Sequence, residues 1–164
     1  MWKKDFTISF ISKYQTWWFI GRLLNKWWAW NHNSIWYEIY FGVSSPQVIW
    51  TTNKWYWDND SRRFTRYINN NYFAENIYYN ITFVFDRNNK ILLYINWMEI
   101  TNSEIEFTSF KDFKDIDITN SNNLVIWSRT WESKYFIWVI DDIKIYNRAL
   151  TDQEIAQQAK MAWF

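Results

Sequence analysis

The turns of this chain are written with tryptophan where backbone geometry asks for glycine. Its 164 residues hold 15 Trp and only two Gly, Gly21 and Gly42, against an ordinary Gly share of about 7%. Asn96-Trp97 separates two apolar runs, Ile91–Ile95 and Met98–Ile100. A two-residue hairpin loop there wants Asn-Gly, because both central residues need φ > 0. Trp55 and Trp57 flank the polar loop that runs to Asp58-Asn59-Asp60. Trp17-Trp18 and Trp27-Trp28-Ala29-Trp30 stand where Gly-rich loops would be ordinary. An indole is poorly suited to a left-handed or crowded backbone.

A reassigned codon produces this pattern. UGA is a stop in the standard code, Trp in some bacterial codes and Gly in certain bacterial lineages. Translating a UGA-Gly gene under the UGA-Trp table turns those glycines into Trp and leaves only the GGN glycines. The positions expected to be Gly are 17, 18, 27, 28, 30, 36, 55, 57, 97, 127, 131 and 138. The alternative is a truly Trp-rich protein that stacks sugars or nucleobases on paired indoles.

The length suits one domain with a real core. Lys and Arg number 18 against 17 Asp and Glu, a net charge of +1, and the charges are dispersed, so nucleic acid is not an expected partner. With no Cys, disulfides, thiolate metal sites and Cys nucleophiles are excluded. There is no apolar run near 20 residues, so no membrane-inserted helix is expected. The opening Met1-Trp2-Lys3-Lys4-Asp5 passes into a strand pattern without an apolar signal region.

Period-two alternation dominates and predicts strands. It appears at Phe6–Phe10, Tyr37–Tyr40, Val48–Thr52 and, more loosely, Arg63–Ile68. Ile81–Phe85, the turn residues Asp86–Lys90 and Ile91–Ile95 predict a hairpin. Further strands are expected at Ile105–Phe107, Leu124–Ser128 and Phe136–Tyr146. Thr151-Asp152-Gln153-Glu154 is a capping box, and Ile155, Ala156 and Ala159 continue it at helical spacing. The expected fold is all-β, an antiparallel two-sheet jelly-roll sandwich with one short C-terminal helix over 151–160.

Three stretches carry a family resemblance. Ile81–Asp86 with Lys90–Ile100 resembles the central hairpin of laminin-G-like jelly-roll domains in the concanavalin-A-like lectin/glucanase group, a hairpin that ends in Asn-Gly. Leu124-Val125-Ile126-Trp127-Ser128 resembles that family's "l-x-I-G-s" strand. Phe136–Ile155, with Asp141-Asp142 and Asn147-Arg148-Ala149-Leu150 inside it, resembles the long closing segment. Phe6–Phe10 resembles the early "F-T-I-S-F-W" strand, with Ile11 in place of the Trp. In all three strong stretches Trp stands at the family's Gly position. The resemblance covers nearly all of residues 1–164 as one domain. The family's opening strands are missing, which implies a fragment of a larger protein.

The acidic motifs fall short of a catalytic set. Glucanases of this fold use E-x-D-x-x-E, whose i, i+2 carboxylates share a strand face. Asp115-Ile116-Asp117 has that spacing, but Asn120 stands in the third place; Glu104-Ile105-Glu106 also lacks a third member. Asp141 and Asp142, as neighbours on a strand, should face opposite sides, leaving one carboxylate to tie down a neighbouring loop. His32 is the only histidine, which speaks against a transition-metal site. Asp58, Asn59 and Asp60 form a candidate calcium loop, solvated turn residues being the alternative. Tyr56, Tyr67 and Tyr72 are candidate stacking platforms.

The resemblance and the incomplete acidic motifs together imply a non-catalytic recognition module of a secreted or surface bacterial protein. Its expected ligand is a glycan or a protein held by the loops. No cofactor is required, calcium is the candidate ion, and other domains of a larger chain are expected neighbours. A glycoside hydrolase-like domain and a structural spacer in a multidomain adhesin are the alternatives.

Overall fold

A computed structural model describes residues 4–13, 21–26, 36–41, 48–53, 73–86, 91–101, 124–126 and 139–161. The chain divides into two compact units, one formed by residues 1–15, 73–102 and 138–164, the other by 16–72 and 103–137.

The first unit is a five-stranded antiparallel sheet with a helix. Its strands are β1 (Phe6–Lys13), β5 (Tyr78–Phe85), β6 (Ile91–Ile95), β7 (Met98–Glu99) and β9 (Val139–Tyr146), in the order β7-β6-β5-β1-β9. The alternation in the sequence sets the register. Phe6, Ile8 and Phe10 lie opposite Phe85, Phe83 and Ile81; Phe83 and Ile81 lie opposite Leu93 and Ile95. Directly opposed residues share a face, so one face of the sheet is a continuous apolar layer, every member of it buried. Phe6 and Phe85 stack with ring centroids 4.1 Å apart. Burying each such side chain contributes about 1.5–3 kcal/mol.

The helix α1 (Asp152–Met161) begins where the capping box predicts. Thr151 Oγ1 accepts the Glu154 amide at 3.4 Å, and the Glu154 carboxylate accepts the Thr151 amide at 2.9 Å. Ile155 and Ala159 are its buried positions, one turn apart.

The second unit holds a four-stranded sheet, β2 (Gly21–Lys26), β3 (Trp36–Phe41), β4 (Val48–Asn53) and β8 (Val125–Ile126), in the order β4-β3-β2-β8. The expected strands at 63–68 and 105–107, and residues 127–128 and 136–138, lie outside the described residues. Strand β2 has no counterpart in the sequence reading. A register shift between Arg22 and Leu24 leaves Leu23 and Leu24 both buried, which a period of two cannot produce.

The fold class is all-β with antiparallel sheets and one C-terminal helix. No helix among the described residues is long and apolar enough to cross a membrane.

Candidate ligand-binding face

The other face of the five-stranded sheet carries Thr7, Ser9, Ile11 and Lys13 of β1, and Tyr78, Asn80, Thr82 and Val84 of β5. The C-terminal segment covers one half of it. Leu150 and Ile155 pack on Val84 and Tyr94, with Leu92, Tyr146 and Ala149 at the margin. Buried Thr7 fastens the cover: its hydroxyl donates to the Arg148 carbonyl at 2.9 Å and accepts the Leu150 amide at 3.0 Å. The Tyr94 hydroxyl donates to Asp152 at 2.7 Å. Burial, then this bond, pushes the Tyr94 phenol well above its usual range. Arg148 grips both Glu154 oxygens. Those bonds, followed by the Thr151 amide, hold the Glu154 carboxyl at about 2.

The other half bears a different set of side chains. A buried polar ladder crosses from β1 to β5: Ser9 and Thr82 hydroxyls meet at 2.9 Å, and Thr82 donates to Asn80 Oδ1 at 3.1 Å. The Asn80 backbone amide donates to Asn96 Oδ1 at 2.9 Å, and the Asn96 amide to the Asn80 carbonyl at 2.8 Å. One step further along β5, Tyr78 is 43% exposed. Lys13 is its direct partner on β1, with the ammonium 5.6 Å from the ring centroid, within cation–π range. Val139 of β9 lies beyond Lys13 and is also exposed.

At the same end of the sheet, Asn96 and Trp97 form the two-residue turn between β6 and β7, with φ of 49° and 66°. Both central residues are left-handed, as a type I′ turn demands. The Trp97 side chain is 50% exposed. The other described non-Gly residues with positive φ are Asn76 and Asp142, types that tolerate this region better than most.

The structure corrects the expected geometry of Asp141 and Asp142. The β1–β9 register shifts between Ser9 and Ile11, and Asp142 sits in this bulge at φ 51°. Strict alternation therefore fails here: both residues are exposed. Asp141 Oδ1 accepts the Asp142 amide at 2.8 Å, and Asp142 pairs with Lys144. The carboxylates serve their own strand, and neither bonds a neighbouring loop among the described residues.

Asp58, Asn59 and Asp60 lie outside the described residues, as do Asp115, Asp117, Asn120, Glu104, Glu106, His32, Tyr56, Tyr67 and Tyr72. Among the described residues no group of three His, Cys, Asp or Glu is placed to hold a metal. Tyr78, Asn80 and Lys13 were not legible as a group, because only the β1–β5 register brings position 13 beside position 78.

The chain belongs to the Laminin_G_3 family of the concanavalin A-like lectin/glucanases superfamily, which it matches over residues 3–156. Its two antiparallel sheets are the jelly-roll class that this membership implies. No curated protein matches the chain. Among solved structures it resembles the receptor-binding domain of botulinum neurotoxin D, with a TM-score of 0.65, 14% identity, and coverage of 97% of this chain and 37% of that one. The botulinum neurotoxin DC binding domain in complex with SialylT gives 0.64, 16%, 99% and 36%. The CBM40 of the Ruminococcus gnavus IT-sialidase bound to α2,3 sialyllactose gives 0.64, 16%, 95% and 83%. The chain thus spans a little over a third of the length of the toxin structures. At these identities the likeness establishes the fold. These neighbours are binding domains.

Proposed function

We propose that this chain is a non-catalytic glycan-recognition module of a secreted or surface protein, one domain of a longer chain. The observation that carries this reading is the corner of the helix-bearing face beyond the buried ladder, where the exposed Tyr78 ring lies beside Lys13 and two residues along β5 from Asn80. Sugars are recognised by such mixtures, ring faces stacking on aromatics while hydroxyls pair with amides and charges. The sialylated ligands of two structural neighbours support a glycan in preference to a protein ligand. Calcium held by Asp58, Asn59 and Asp60 is a further part of the reading.

Calorimetry with 3′-sialyllactose and lactose, with calcium and with EGTA, tests it. Binding without turnover is expected, weakened by EGTA through loss of calcium from the Asp58–Asp60 loop. Released monosaccharide that disappears in Asp115→Asn or Asp117→Asn would favour a glycosidase instead. Silence toward all glycans would leave a structural spacer.

The reading extends to the Trp positions. Trp97 occupies a left-handed turn position with a half-exposed indole, where the family hairpin ends in Asn-Gly. This supports Gly as the residue made in the organism at 97 and the other expected positions. Mass spectrometry of the native protein decides it: a Gly mass at position 97 is expected, and a Trp mass there sinks the reading.

A further inference from the structure

Three features meet at one corner of the five-stranded sheet. The first is the Asn80 side chain, 6% exposed. Its Oδ1 takes the Thr82 hydroxyl, and among the described residues its amide nitrogen has no partner. Turning the amide over merely leaves the oxygen unpaired. A buried amide half with no partner costs about 1–3 kcal/mol, so a ligand that supplies one gains that amount. The second is the Lys13 ammonium, which lies against the Tyr78 ring and forms no ion pair among the described residues. The third is the exposed Tyr78 ring itself.

The strand geometry brings them together. Tyr78 and Asn80 lie on one face of β5, about 7 Å apart along the strand, and Lys13 is about 5 Å across from Tyr78 on β1. That span matches a single pyranose ring with one substituent.

We propose that this corner, Lys13 with Tyr78 and Asn80, binds an acidic sugar residue at the end of a glycan. Tyr78 stacks on the apolar face of the ring, the free half of the Asn80 amide bonds a ring hydroxyl, and Lys13 meets the carboxylate. The site uses sheet residues, in contrast to the loops expected from the sequence. The proposal rests on the glycan-module reading and adds the ligand's charge and its seat. It makes no use of Trp97, so it holds whichever residue is made there.

Calorimetry on the whole chain, with 3′-sialyllactose and lactose as probes, tests it. Sialyllactose should bind at least about tenfold more tightly than lactose, the worth of one charge-assisted hydrogen bond. Tyr78→Ala should weaken both sugars about tenfold. Lys13→Gln should remove the preference for sialyllactose over lactose. Asn80→Ala should weaken both and, because Thr82 loses an acceptor, also lower the melting midpoint. Tyr78 and Lys13 are surface residues, so their variants should melt with the parent. Sialyllactose binding that is unaltered in Tyr78→Ala and Lys13→Gln overturns the site and leaves the module reading standing. No binding of either sugar by the parent chain overturns both.

Discussion

The hydroxyl of Thr7 accepts the amide of Leu150, 143 residues further along the chain. The same oxygen donates to the Arg148 carbonyl, so one buried side chain on the first strand locks the segment that leads into α1. Among the described residues, Thr7 is the partner of both backbone groups. Thr7→Val keeps the shape and removes the hydroxyl. It should lower stability by about 2–6 kcal/mol, from two orphaned backbone groups at about 1–3 kcal/mol each. Urea unfolding of the two proteins side by side measures this; a loss below about 1 kcal/mol would show that water takes over both bonds.

The capping box gives a pH prediction. The folded Glu154 carboxyl sits at about 2, against an ordinary 4.5. The unfolded chain therefore binds a proton first as pH falls. The contribution of Glu154 is fully present above about 4.5 and is lost between there and about 2. Stability should decline through this window, and Glu154→Gln should show a shallower decline. Parallel slopes from pH 5 to pH 2 would mean that the Arg148 pair does not bias folding.

The Asn96-Trp97 turn should be more stable with glycine. A left-handed non-Gly residue costs about 1–2 kcal/mol. Trp97→Gly should therefore raise the melting midpoint by roughly 2–8 °C for a chain of this size. A fall in the midpoint would mean that the indole makes a contact worth more than the backbone penalty.

At the β9 bulge, Asp142 also holds positive φ. Asp142→Gly should cost little, within about 0.5 kcal/mol, because the ion pair it loses is exposed. Asp142→Val should cost about 1–2 kcal/mol, since a branched side chain resists this region. Equal melting of the two variants would show that the bulge relaxes.

Much of this architecture was legible because it is local. The hairpin 81–95 announces itself by alternation, and α1 by Thr151 and Glu154 three residues apart. The strand β2 was not, because its bulge buries Leu23 and Leu24 in succession. Asp141 and Asp142 misled for the same reason, a bulge that breaks the period. The Lys13–Tyr78–Asn80 corner was hidden by distance: no local pattern announces a pairing of residues 65 positions apart. The expected calcium loop and acidic pairs fall outside the described residues.

The position of β1 sets the order of events when the chain folds. It precedes the other four strands of its sheet in the sequence, yet it lies between β5 and β9, pairing Phe6 with Phe85 and Thr7 with Tyr146. Its bonds to β9 must wait until Val139–Tyr146 exist. Closing loops of that length is slow. During synthesis the hairpin of β5 and β6 can capture one side of β1, while the other side stays open until β9 emerges. A ribosome stalled before residue 139 would therefore hold a chain with an open, adhesive strand.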